Sequence, residues 1–222
     1  MSKSLTKLDS ILYNLPFLLE KRQAIIFDGM RNAFDMIALS YDSLESLLTE
    51  FFLAQPLDAP PIPLMPIGNN ENLLRIQALS HITVFINNLK TLKQIYLKFT
   101  QSDVQSPLKT LLLKEEATKL RDVVQHLPDN IGNLAKKTGR LTPLFGNIGW
   151  FFSRTGHNDK IMRYVINSGI LHAKKTDMMN IPAPSEKTEN QAYCIEYQVD
   201  KNKINLSTLL SLLQYSASER IY

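Results

Sequence analysis

In the segment Lys119–Asn130 an arginine, an aspartate and a histidine stand at positions 121, 122 and 126. These three residue types suffice for acid–base chemistry at a phosphate. Histidine, titrating near neutrality, can take or give a proton. The arginine fork can meet charge developing on phosphate oxygens with paired N–H donors, and a carboxylate can orient either group. On a regular helix, positions 121 and 126 are about 140° apart and do not share a face. A site using both therefore needs a helix that loosens at its end, or two chains that combine. Pro128 supplies the first route, because it lacks the N–H that would bond the carbonyl of Val124. His126 then falls in a last helical turn, where the helix dipole favours the imidazolium. The bland alternative is that Arg121 and Asp122 are solvated helix residues and that His126 bonds a helix-end carbonyl.

The pattern of Arg121, Asp122, three further residues and His126, after two long amphipathic helices, resembles the motif of the HEPN superfamily of nucleotide-binding helical domains. There it lies on a late helix of a four- or five-helix bundle. The resemblance covers about residues 20–135 in layout and six residues in the motif. It implies a HEPN-like protein that binds RNA and, in catalytic members, cleaves it without metal. Arg121 and His126 would be the catalytic pair, often meeting across a homodimer, with Asp122 orienting them; His126 would act on a 2′-hydroxyl or a leaving oxygen. In a bacterial subset the histidine is followed by an apolar residue and then Asp-Glu-Arg. Here Leu127 is followed by Pro128 and Asp129.

Other chemistry is sparse. There is no phosphate-binding glycine loop, no zinc-protease helix pattern and no nucleophile elbow. One cysteine, Cys194, in a strand-like apolar run, reads as inert. His81 reads as a core-edge residue, His157 as a turn residue, and His172 lies in a predicted hairpin. One thiol and four scattered histidines make no metal-ligand pattern, so the expectation is no metal and no cofactor.

The elements that must position these residues follow from periodicity. Ile26, Met30, Phe34, Ile37, Tyr41, Leu44, Leu48 and Phe51 alternate steps of three and four, predicting a helix from about 18 to 54. A shorter helix from about Leu5 to Asn14 precedes it. Five prolines in Pro56–Gly68 make an extended, packed connector. A second helix is predicted from Glu71 to Thr100, with Ile76, Leu79, Ile82, Ile86, Leu89, Lys93, Tyr96 and Phe99 on its stripe. A third follows Pro107, from Leu108 to about Leu127, with Leu112, Leu120, Val124 and Leu127 inward. Long helices joined in this way predict an antiparallel bundle over residues 1–135.

From about 136 to 222 the character changes to a basic, β-containing appendage with a final helix, packed on the bundle. Ile161–Ile166 and Ile170–Lys174 flank Asn167-Ser168-Gly169 as a hairpin. Tyr193, Ile195, Tyr197 and Val199 alternate onto one side of a strand, which turns toward Ile204–Leu206. Ser207 is read as the cap of a helix carrying Leu209, Leu210, Leu213 and Ala217. The fold class is thus mainly α with a small antiparallel sheet.

Charge is uneven. Residues 136–175 hold Lys136, Lys137, Arg140, Arg154, Lys160, Arg163, Lys174 and Lys175 against Asp159 alone, a net of +7, whereas the whole 222-residue chain carries +4. Phe145, Trp150, Phe151, Phe152 and Tyr164 are interleaved. These cations could bind RNA phosphates while the rings stack bases; alternatively, the rings pack the sheet onto the bundle. No apolar run is long enough to cross a bilayer, and Asp9 and Asn14 interrupt the place of a signal-peptide core. The expectation is a soluble, cytoplasmic protein without a membrane partner. Beside the RNA reading stand a non-enzymatic helical interaction module with an unidentified protein partner, and a nucleotide-binding bundle without turnover.

Overall fold

The computed structural model describes residues 19–54, 69–99, 146–153, 161–167, 191–199 and 202–218, together with residues 109, 112, 119 and 122. This part is mostly helical, with one small four-stranded antiparallel sheet. The elements are α1 (Lys21–Leu53), α2 (Asn69–Phe99), β1 (Asn147–Ser153), β2 (Ile161–Asn167), β3 (Ala192–Val199), β4 (Asn202–Asn205) and α3 (Leu206–Ser218). Among the described residues no helix is long and apolar enough to cross a membrane.

The two long helices form because their apolar side chains recur at helical spacing. At the start of α1, Gln23 Oε1 accepts from the Glu20 N–H at 3.1 Å, and so satisfies one donor of the helix start. α1 buries Met30, Phe34, Ile37, Tyr41, Leu44 and Leu48 as its spacing predicts, and Phe27 and Phe52 in place of the half-buried Ile26 and Phe51. α2 buries Leu74, Ala78, Ile82, Phe85, Ile86, Leu89, Leu92 and Tyr96. Its inner stripe runs through Leu92 beside Lys93, which resolves the lysine that interrupts the predicted stripe; Ile76 turns outward. The helices run antiparallel: a Cβ on Gly29, near the start of α1, would sit 3.1 Å from Ile95 Cδ1, near the end of α2. Each fully buried Leu, Ile or Phe on this seam contributes about 1.5–3 kcal/mol.

The other side of α1 meets the sheet, whose strand order is β2-β1-β3-β4. The Phe52 ring lies 4.0 Å from that of Phe152 and 4.7 Å, edge-on, from that of Tyr164. The Ala192 N–H donates to Thr49 Oγ1 at 2.9 Å. Ile148, Trp150, Phe152, Tyr164, Ile166, Ile195, Tyr197, Val199 and Ile204 join α1, α2 and α3 in one continuous core. A second, smaller cluster on the opposite sheet face holds Phe151 and Tyr193, with Val165 and Cys194 against them.

One strand goes unread in the sequence, and two sequence expectations are corrected. Asn147–Ser153 is a strand that the alternation rule misses, because it is buried along its whole length, and Trp150, Phe151 and Phe152 all face apolar surroundings. β2 pairs with this strand, Trp150 opposite Tyr164 and Ile148 opposite Ile166; Ile170–Lys174 lies outside the described residues. Tyr193 does not share a face with Ile195, Tyr197 and Val199. Between the pairs Gly149–Glu196 and Phe151–Tyr193, Trp150 stands against both Cys194 and Ile195, a β-bulge with Cys194 at φ +50°. The extra residue reverses the alternation on either side of it. Finally, Asn205 rather than Ser207 caps α3, accepting from the Thr208 N–H at 2.8 Å. The predicted Leu5–Asn14 helix and the Pro56–Gly68 connector lie outside the described residues.

Candidate functional site

Asp122 is the member of the motif that is described. It is helical and half-buried, and its Oδ1 lies 3.9 Å from Nζ of Lys90 on α2. Lys109, Leu112 and Lys119, in the predicted third helix, are also helical, and Leu112 is buried in the main core. The motif's carboxylate thus stands beside α2, next to an ammonium group that partly neutralises it. A carboxylate held in this way repels an approaching phosphate less than a free one would. Sequence reading missed Lys90. Its only signal is a second lysine, three residues before Lys93, flanking the buried side of α2.

Arg121 and His126 lie outside the described residues, as do Lys136, Lys137, Arg140, Arg154, Lys160, Lys174 and Lys175. Arg163 is placed by its backbone alone, on β2 opposite Phe151. Of the interleaved rings, Phe145 lies outside the described residues, and Trp150, Phe151, Phe152 and Tyr164 are all buried. Burial pushes the Tyr164 phenol up to about 12. These four rings pack the sheet and are not open to stack bases.

The remaining polar chemistry gathers where β3, β4 and α3 meet α1. The Tyr41 hydroxyl lies 2.7 Å from Ser207 Oγ, which also accepts the Ile195 N–H at 2.8 Å. Burial pushes the Tyr41 phenol well above its ordinary range, partly offset by its bond to Ser207. The Cys194 thiol is pushed up by burial and then by the Glu196 charge, which disfavours a reactive thiolate. Glu196 is buried on the far face of the sheet. Lys203 Nζ approaches its Oε2 to 2.9 Å, off the hydrogen-bonding direction, and Asn205 Nδ2 lies 3.4 Å from its Oε1. A serine bonded by a backbone N–H and a phenol has no base to activate it, so this cluster fastens α3 and the sheet to α1. His81, on α2, is half-buried, and desolvation lowers its pKa from 6.5. Among the described residues no group of His, Cys, Asp and Glu is arranged to hold a metal.

No protein-family model, no curated protein and no solved structure matches the chain.

Proposed function

We propose that the chain is a HEPN-like helical protein, an antiparallel bundle with a β appendage, that binds RNA in the cytoplasm as a homodimer and cleaves it by metal-independent acid–base chemistry. In this reading His126 moves the proton, Arg121 meets the charge on the phosphate, and Asp122 orients them. The observation that supports it is the approach of Lys90 to Asp122 at 3.9 Å. It sets the motif's acidic residue beside a long core helix, with a cation close by, in surroundings suited to a phosphodiester. The basic run from Lys136 to Lys175 supplies salt-sensitive affinity for the backbone.

The test is incubation of mixed RNA with the purified chain in EDTA, beside its Arg121→Ala and His126→Ala variants, with thermal unfolding measured in parallel. Cleavage by the wild type alone, at unchanged melting temperature, supports the assignment. Intact RNA with folded wild-type protein rejects it and selects a second reading, a non-enzymatic helical interaction module. Burial of Trp150, Phe151, Phe152 and Tyr164 favours that second reading, because it removes the rings a nucleic-acid platform would use.

A further inference from the structure

The sheet is covered on both faces, and the described elements account for only one of them. α1, α2 and α3 all contribute to the core on the near face. On the far face Phe151 is 4% exposed, Tyr193 8% and Glu196 3%. Val165 and Cys194 are partly buried beside Phe151 and Tyr193, and every described member of this cluster is a strand residue. An antiparallel sheet packed on helices commonly leaves its other face to water. Two aromatic rings and a carboxylate kept this dry need a further layer of chain above them.

Topology singles out the stretch that supplies it. β2 and β3 are each antiparallel to β1 and lie on either side of it, so they are parallel to each other. Parallel strands cannot be joined by a tight turn; the chain must be carried back to the other end of the sheet. Asn167 is level with Asn147, and Ala192 with Phe152. The two ends are thus about 20 Å apart, measured along the strands and across two strand spacings. The connection, residues 168–190, has 23 residues and an extended reach of about 75 Å, so most of it is slack. Of the longer stretches outside the described residues, it alone has both ends on the sheet. The short link 154–160 contains no hydrophobic residue, whereas the connection holds Ile170, Leu171, Met178, Met179 and Ile181.

We infer that the β2–β3 connection docks on the far face of the sheet, with Met178, Met179 and Ile181 seated on Phe151, Tyr193 and Cys194. The near face is filled by α1 and α3, so the far face is the course left to it. Methionine suits the task, because its unbranched thioether packs against ring edges and fills irregular gaps. Pro182 and Pro184 hold the run toward β3 extended and out of a helix. A return of Ile170–Lys174 beside β2, as the hairpin pattern predicts, leaves residues 175–190 for this role. The inference concerns how the sheet is covered and stands whether or not the chain cleaves RNA.

Cys194 is the only cysteine of the chain and belongs to the covered cluster, so it reports on single added thiols. The experiment introduces Met178→Cys, Met179→Cys and Ile181→Cys one at a time into the full chain. Each is oxidised with copper phenanthroline in dilute solution, beside Leu134→Cys and Thr83→Cys, the latter on an exposed position of α2. At least one of the three is expected to form an intrachain disulfide with Cys194, identified by peptide mass spectrometry. Seated there, its Cα lies within the roughly 7 Å that a disulfide tolerates. Leu134→Cys and Thr83→Cys should form none. Failure of all three, in chains that unfold as the wild type does, overturns the inference. Trapping by Leu134→Cys in their place also overturns it and gives the face to residues 123–145. A second readout needs no oxidation: Met178→Lys with Met179→Lys should speed alkylation of Cys194 by iodoacetamide at least tenfold, and an unchanged rate overturns the inference as well.

Discussion

The Tyr41 hydroxyl of α1 sits 2.7 Å from Oγ of Ser207, 166 positions further along the chain, and this contact ties the first long helix to α3. Ser207 Oγ also receives the Ile195 N–H at 2.8 Å, so one hydroxyl serves three elements. Removing either partner has unequal effects. Tyr41→Phe deletes one hydrogen bond and should cost about 1 kcal/mol. Ser207→Ala leaves a backbone N–H without its acceptor and a buried phenol without its partner and should cost about 2–3 kcal/mol. In a double-mutant cycle by urea unfolding, the two losses should fall short of additivity; simple addition would show that the residues do not communicate.

Gly146 precedes β1 at φ +82°, and a Cβ there would lie 2.3 Å from the Gln198 carbonyl oxygen. Gly146→Ala is therefore both strained and obstructed and should lower stability by at least about 2 kcal/mol. Cys194 shares the left-handed region with its φ of +50°, where a β-branched side chain is a genuine outlier. Cys194→Val should be less stable than Cys194→Ala in chemical denaturation, reversing the order that apolar burial alone would give.

Lys203 faces a Glu196 carboxylate that is only 4% exposed. Lys203→Met leaves that charge buried without its cation and should cost about 1–3 kcal/mol, discounted because the lysine itself reaches solvent. Adding Glu196→Gln to Lys203→Met should recover most of the loss. Asn205→Ala removes the cap of α3 and should cost about 1 kcal/mol, seen as fraying in hydrogen exchange of that helix.

The tyrosines set an alkaline limit. Burial holds the Tyr164 phenol at about 12 and pushes Tyr41 and Tyr197 higher still. Folded values above the unfolded one mean that the stability is complete below pH 10 or so and is lost as pH rises beyond it. Phenolate absorbance from these rings should appear together with unfolding rather than before it. His81 acts at the acid end: its pKa is lowered from 6.5, so the unfolded chain binds the proton first and stability falls as pH drops below 6.5. His81→Gln should flatten the stability profile in that window.

The two long helices were legible in the sequence because each is long enough for its period to repeat eight or nine times. Phe34, Ile37 and Tyr41 of α1, and Ile82, Ile86 and Leu89 of α2, bury as their spacing predicts. The sheet was less legible for reasons of chemistry. β1 is buried on both faces, so Trp150, Phe151 and Phe152 give no alternation, and a bulge at a non-glycine residue leaves no mark that could show Tyr193 and Ile195 to lie on opposite faces. Ser207 has the composition of a cap, but its hydroxyl is taken by Tyr41 and Ile195, and the role passes to Asn205. Of the candidate site, Asp122 could be placed against Lys90, a relation between distant helices that spacing along one helix does not encode.

The two-sided packing of α1 has a consequence for the order of events during synthesis. Its contacts with α2 become available once residue 99 has emerged, and that antiparallel pair can close early. Tyr41 and Phe52, however, wait for Ser207, Phe152 and Tyr164. At about 5–20 residues per second, the interval between residues 99 and 207 lasts about 5–20 s. Throughout it the nascent hairpin carries an uncovered aromatic flank, and closure requires contacts of high sequence separation, which form slowly. The vulnerable species in the life of this chain is the half-made one, and a chaperone that covers the Tyr41–Phe52 side of α1 would meet it there.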